Sequence, residues 1–378
     1  MKIVIAPDKY KGNMTSPELC TIIREAFLSE MPDAEVICIP LADGGDGTAE
    51  ALTAAHHGEI RQVTVTGPLG QPVTAKFGVF DSGRSAVMEM ASASGLALLK
   101  EEERNPLRAD TFGTGELIRA ALDAGAESIV IGIGGSATTD GGTGMAKALG
   151  YRFLDADGNE LPPGPGHLVR LEKIDVSGAD PRLFKTKISA ACDVTNPLLG
   201  PQGAVAIYGP QKGVTAETAP KLESALTRLA EVWHRQGLLD SADKPGDGAA
   251  GGLGAGLRAF CRAELTSGAK LIMHAAKLEE QLDGADLLIT GEGCTDSQTD
   301  AGKLCGEVAA AAHAHGVPVL LLSGALKGDP SQFNRIFDYA FSTSTGAHTN
   351  LAEAIKAGRR DLTFTARNLA RIFKKGAR

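Results

Sequence analysis

Apolar residues recur along this chain in two rhythms, short unbroken runs and helical stripes, and the two alternate. Lys2-Ile3-Val4-Ile5-Ala6 is a run suited to a buried parallel strand. Ser16-Pro17-Glu18 then reads as a helix start: a capping hydroxyl, a proline at the first helical position and an acid near the positive dipole end. Leu19, Ile22, Ile23, Ala26 and Phe27 follow at helical spacing, and Met31-Pro32 closes the helix. Val36–Leu41 predicts a second strand and Thr48–His56 a second helix. Gly115–Ala124 predicts an amphipathic helix and Ser128–Ile133 a strand. Towards the C-terminus the pattern returns as strand Asp286–Thr290, helix Gly302–His315, and strands Val317–Leu322 and Tyr339–Ser342. The closing stretch predicts one amphipathic helix with Leu351, Ile355, Leu362, Leu369 and Phe373 inward.

The middle behaves differently. Short strands at Val63–Val65, Val73–Val79 and Ala86–Met90 surround the turn Gly67-Pro68-Leu69-Gly70. Residues 151–215 are punctuated by proline and glycine, and Glu217–Arg235 reads as a long helix. Strands alternating with helices imply a parallel sheet covered on both faces. The expected architecture is therefore α/β: a doubly wound, Rossmann-like parallel-sheet domain with a second α/β domain inserted. The boundaries expected are 1–62, 110–140 and 281–378 for the first domain, and 63–109 with 141–280 for the second.

Composition narrows the function. With 378 residues, 43% of them hydrophobic and 22% charged, the chain can bury a large core without metals or disulfides. Its net charge of −8 argues against nucleic acid as a partner, which needs a basic face. Six cysteines at 20, 38, 192, 261, 294 and 305 show no zinc-ligand spacing and read as reduced thiols. No apolar run is long enough for a membrane helix and no leader pattern opens the chain, so a cytoplasmic protein with no membrane partner is expected. The sequence does not set the oligomeric state, and a homodimer is compatible with it. The 47 glycines cluster in short runs, which marks backbone-defined loops.

Open parallel sheets bind ligands beyond the carboxyl ends of their strands, and the chemistry-bearing runs fall there. Asp8-Lys9-Tyr10-Lys11 follows the first strand and suits a polyphosphate with its metal; a solvated turn is the alternative. Asp43-Gly44-Gly45-Asp46-Gly47 follows the second, where glycines and a helix start could cradle an anion. Its carboxylates could instead hold Mg²⁺ through water, or the run could be a plain Asp/Gly turn capped by Thr48. Gly134-Gly135-Ser136-Ala137-Thr138-Thr139-Asp140 supplies many small donors for phosphate oxygens. Asp193 could accept the proton of a substrate hydroxyl and Asn196 orient a carboxylate, with an Asx turn as alternative. Gly209-Pro210-Gln211-Lys212-Gly213 sets a lysine on a tight loop. Gly291, Glu292 and Asp296 follow another strand, and Lys303 opens the next helix.

No Gly-x-x-x-x-Gly-Lys-Ser/Thr is present, which excludes a Walker loop, and the protein-kinase signatures are absent. Gly132-Ile133-Gly134-Gly135-Ser136-Ala137 with Asp155 beyond it fits a dinucleotide fingerprint, so an NAD-dependent oxidoreductase is one alternative. A sensor that binds a sugar acid without turnover is another.

In order, Ala6–Gly12, Pro40–Thr48, Ala93–Leu96, Gly113–Ile118, Gly132–Gly144, Cys192–Gly200, Gly209–Gly213, Gly248–Gly254 and Thr290–Gly302 resemble the motifs of the bacterial class I glycerate kinase family across nearly the whole chain. The resemblance implies transfer of the terminal phosphate of ATP to D-glycerate, usually at the 2-hydroxyl, with Mg²⁺. Carried onto this chain, Lys9, Lys11 and the Gly134–Thr139 loop, with Asp8, Gly44, Gly45, Gly291 and Lys303, would meet the nucleotide. Asp43, Asp46 or Glu292 would hold Mg²⁺. Asp193, with Asp296 second, would be the base, and Ser94, Asn196, Gln211 and Lys212 would face the acceptor. The family pattern carries arginine where Cys294 stands and proline where Cys305 stands, so a related small hydroxy acid is an alternative acceptor.

Overall fold

The computed structural model describes residues 1–42, 47–296, 304–346, 348 and 350–376. Its strands in chain order are β1 (Lys2–Ile5), β2 (Glu35–Cys38), β3 (Glu59–Thr66), β4 (Pro72–Phe80), β5 (Ser85–Glu89), β6 (Ser128–Gly132), β7 (Arg152–Leu154), β8 (Lys173–Asp175), β9 (Lys187–Ala191), β10 (Glu264–Thr266), β11 (Leu287–Thr290), β12 (Val319–Ser323) and β13 (Tyr339–Ser342). They form one parallel and one mixed sheet with helices between, plus a small hairpin of β7 with β8. The chain is an α/β protein that divides into two compact units.

The first unit comprises Met1–Asp43, Glu50–His57 and Ala269–Arg378. Its sheet is parallel throughout in the order β13-β12-β11-β1-β2, so successive strands run outward in both directions from the β1–β11 pair. The central strands β11 and β12 are buried along their whole length, whereas the edge strands β2 and β13 are largely accessible. Unbroken apolar runs mark the middle of such a sheet because helices cover both faces. The helix Ser16–Glu30 buries Leu19, Ile23 and Phe27 in one core with Ile3, Ile5, Ile289 and Leu320, and the terminal helix Leu351–Gly376 adds Leu362 and Leu369. Leu351, expected inward, is exposed, because the first turn of that long helix extends past the core.

The helix start also differs from expectation. Thr15, not Ser16, is the N-cap, in a reciprocal capping box with Glu18. Ser16 is thereby released to bond elsewhere. Its hydroxyl donates to Pro7 O (2.6 Å) and accepts from Leu41 N–H (3.0 Å). One buried hydroxyl thus ties the loop after β1 to the segment after β2.

The second unit comprises Gly44–Ala49 and Gly58–Gly268. Its sheet has the order β10-β9-β6-β5-β4-β3, antiparallel from β3 to β5 and parallel from β5 to β10. The β3–β4 hairpin turns at Gly67-Pro68-Leu69-Gly70 as the turn residues require. Segment 110–140, expected beside the N-terminal strands, lies here instead, because β6 is hydrogen-bonded between β5 and β9. An apolar run announces a buried strand but not which sheet receives it.

Candidate active site

In the first unit three loops meet at the carboxyl edge of the sheet. Asp8 N–H donates to Gly291 O (2.8 Å), and Gly293 packs so tightly that an added Cβ would stand 3.2 Å from Lys11 N. Gly291 is tighter still, since a Cβ there would fall 2.0 Å from Leu322 O. Backbone against backbone at that range admits only glycine. Tyr10 is buried and donates to Leu322 O (2.8 Å), and burial holds its phenol well above the ordinary range. Thr295 N–H donates to Ser323 Oγ (3.1 Å), which donates in turn to Ala325 O (2.8 Å). Thr295 Oγ1 lies 3.0 Å from Glu292 Oε1, so that carboxylate is oriented by its own loop.

The structure therefore brings together the loop that carries Asp8, Lys9 and Lys11 and the loop that carries Gly291 and Glu292, which lie far apart in the chain, with Asp296 following Thr295 on the second of them. Asp8 Oδ1 accepts from Lys9 N–H (2.7 Å), and the Lys11 side chain is exposed. Asp43, Gly44, Gly45, Asp46 and Lys303 lie outside the described residues.

In the second unit the corresponding edge is formed by the loops after β5, β6, β9 and β10. Gly134 and Gly135 are exposed, and the loop then dives inward through Ser136, Thr138 and Thr139. Its keystone is Asp140, which is wholly buried. Its carboxylate accepts from Thr111 N–H (3.0 Å), Thr111 Oγ1 (2.8 Å), Gly144 N–H (2.9 Å) and Gly142 N–H (3.3 Å). Burial pushes that carboxyl above its usual range, and these donors pull it back. Asp110 is pushed up to about 6, first by burial and then by the charge of Asp140.

Lys212 completes the arrangement from the turn Pro210–Lys212. Expected to face a ligand, it is instead buried, donating from Nζ to Ser136 Oγ (2.7 Å) and to Thr138 O (2.6 Å). Burial lowers its ammonium to about 7, opposed by Asp140. Behind the loop, Gly251 adopts a left-handed φ of 70° and a Cβ there would lie 2.0 Å from Thr138 O. The glycine run at 248–254 is thus the bed on which the backbone of residues 138–142 lies. Asp247, buried, pairs with Arg258 at 2.6 Å and holds the entry to that run.

Ser94 is also less open than expected. Its hydroxyl lies 2.9 Å from Thr114 Oγ1 in the interior, while its carbonyl accepts from Ala137 N–H (2.9 Å). Asn196 spans its own loop, donating to Gln202 O (2.8 Å) and accepting from Tyr208 OH (2.5 Å). Asp193 is exposed, with Oδ1 accepting from Gly268 N–H (2.8 Å), and Gln211 is exposed.

The dinucleotide fingerprint does not survive. No helix starts at Gly134; the next one begins at Thr143, after the Asp140 keystone, so no helix N-terminus faces a pyrophosphate at the glycines. Asp155 accepts from Asp157 and Asn159 N–H groups and serves as a turn residue.

A glycerate kinase family model matches residues 3–374. The chain belongs to the glycerate kinase family. It is 46% identical to the glycerate kinase of Bacillus subtilis strain 168, covering 99% of this chain and 98% of that one. It is also 46% identical to the glycerate 2-kinase of Escherichia coli K12, covering 100% and 99%. A crystal structure from Salmonella typhimurium LT2, described as a candidate glycerate kinase 2, superposes with a TM-score of 0.92 at 48% identity, covering 100% of this chain and 99% of that one. For this family member, sequence reasoning missed Asp110, Thr111 and Asp140. The signal available was a carboxylate placed among glycines, whose small N–H groups can all converge on it.

Proposed function

We propose that this protein transfers the terminal phosphate of ATP to a hydroxyl of D-glycerate, giving 2-phosphoglycerate. The full-length likeness to the Bacillus subtilis glycerate kinase carries that reading, and the name of the Escherichia coli relative favours the 2-hydroxyl. The first unit is in this reading a doubly wound, Rossmann-like scaffold, consistent with its outward-running strand order.

Phosphoryl transfer is mostly positioning and charge neutralisation. Lys9 and Lys11 supply cationic donors to phosphate oxygens, and the exposed glycines Gly134 and Gly135 offer close backbone approach to an anion. Asp193 takes the proton of the glycerate hydroxyl as its oxygen forms the new bond to phosphorus and ADP leaves; Asp296 is the second candidate for that proton. Asn196 and Gln211 are the acceptor-side candidates. Mg²⁺, when bound, draws charge from the phosphate oxygens. Glu292, whose Oε1 is oriented by Thr295 Oγ1 at 3.0 Å, fits Mg²⁺, which takes one or two carboxylates together with phosphate and water. Glu292, with Asp43 and Asp46, would hold it.

A coupled ADP-release assay over glycerate, tartronate and lactate tests this reading. Glycerate is expected to give the highest kcat/KM. A clear preference for another acid would assign the related-acceptor reading, for which Cys294 is the motivating residue, and binding without ADP release would assign a sensor. Asp193→Asn is expected to lower kcat by about 10²–10⁴-fold with an unchanged melting temperature; near-normal turnover removes Asp193 from the role.

A further inference from the structure

A loop at the end of a strand needs a fastener, and the loop after β6 has a costly one. Lys212 Nζ reaches Ser136 Oγ and Thr138 O from a turn more than seventy residues away, with the side chain 1% exposed. Burying an ammonium costs more than burying an apolar chain of the same length. A fold that needed only packing here would do better with methionine. The same loop carries a second cost, because Thr138 Oγ1 and Thr139 Oγ1 are buried without a hydrogen-bond partner among the described residues. The lysine also sets the direction of a hydroxyl. Ser136 Oγ accepts from Nζ, so the one hydrogen on that oxygen points elsewhere.

We propose that Lys212 is a positioning residue for phosphoryl transfer: without touching ATP or glycerate, it holds residues 136–139 in the one conformation in which the loop's donors meet the reacting oxygens. This rests on the kinase reading above. Glu292, Lys9 and Lys11, given ligand roles above, are outside it. Asp140 is the charged neighbour that favours the ammonium, and the loop is clamped between the two.

The test separates stability from activity. Lys212→Met, Ser136→Ala and the double variant are compared with the wild type by thermal unfolding and by kcat and KM for ATP and glycerate. Lys212→Met should unfold below the wild-type temperature but remain folded at the assay temperature, since Thr138 O loses its donor and Asp140 its cation. Its kcat should fall about 10–100-fold, as for a reacting group displaced by an ångström, with both KM values within about threefold. Ser136→Ala should lose less, and the double variant no more than Lys212→Met alone, because the two act through one contact. A Lys212→Met enzyme with kcat within about twofold of wild type overturns the proposal. So does a loss confined to the KM of one substrate, which would mean direct contact. Should Lys212→Met not fold, Ser136→Ala decides: unchanged kcat, or a loss confined to the KM of one substrate, overturns the role, and a lowered kcat with both KM values and the melting temperature unchanged supports it. Absence of glycerate-dependent ADP release in the wild type would instead defeat the kinase reading itself.

Discussion

The two units fix their functional loops with different chemistry. In the first, the loops after β1, β11 and β12 are held by backbone contact at glycines and by neutral hydroxyls such as Ser16, Thr295 and Ser323. In the second, the loop after β6 also lies on glycines, Gly251 and Gly252, but is held in addition by the buried ionisable groups Asp140 and Lys212, with Asp247 and Arg258 behind it. Close backbone packing fails when volume is added. Buried charge fails when a partner is removed or a proton moves. Both units should therefore be sensitive to added volume at their glycines, Gly291 in the first and Gly251 in the second, and the loop after β6 should in addition be sensitive to the loss of a buried charged group.

The largest effect that sharpens this contrast is expected at Asp140. Asp140→Ala strands the donors of Thr111, Gly142 and Gly144 in the interior and should cost about 3–5 kcal/mol in urea unfolding. A loss under about 1 kcal/mol would mean the loop holds its own shape. Next is Gly291→Ala, where the new methyl meets Leu322 O and the strand-end loops must separate, at about 2–3 kcal/mol. Gly12→Ala is its control, since nothing lies within 4 Å of a Cβ there and only the left-handed backbone objects, at about 1 kcal/mol.

Of similar size to Gly291→Ala, but dependent on pH, is the effect expected at Asp110. Its carboxyl rises from 3.8 to about 6 on folding. The raised value means its contribution to stability is complete below about 3.8 and is lost as pH rises through 6, leaving a constant penalty above. Asp110→Asn keeps an acceptor for Phe112 N–H and removes the charge. It should gain about 1–3 kcal/mol relative to wild type at pH 8, the gain shrinking towards pH 5. An equal gain at both pH values would place the cost of Asp110 outside its ionisation.

How much of this could be read from the chain depended on whether the physics was local. The strands β1, β6, β11 and β13 and the helices at Ser16–Glu30 and Ala219–Arg235 were legible, because hydrophobic period and punctuation encode them within a few residues. The choice of Thr15 over Ser16 as cap was not, because it depends on Pro7 and Leu41 claiming the Ser16 hydroxyl. The sheet that receives β6 was not, because strand order is a property of the packed whole. The glycine loops were legible as loops with a purpose, but Lys212 read as a ligand group when its partners are Ser136 and Thr138. A lysine looks the same in sequence whether its charge ends in solvent or in the interior.

The central claim is that this chain moves phosphate from ATP to a hydroxyl of glycerate, and ³¹P NMR of a reaction holding the wild-type protein, ATP, Mg²⁺ and D-glycerate reads it directly. The account predicts one new phosphomonoester signal, that of 2-phosphoglycerate, growing in step with ADP. Inorganic phosphate growing with ADP and no phosphoglycerate signal would contradict it.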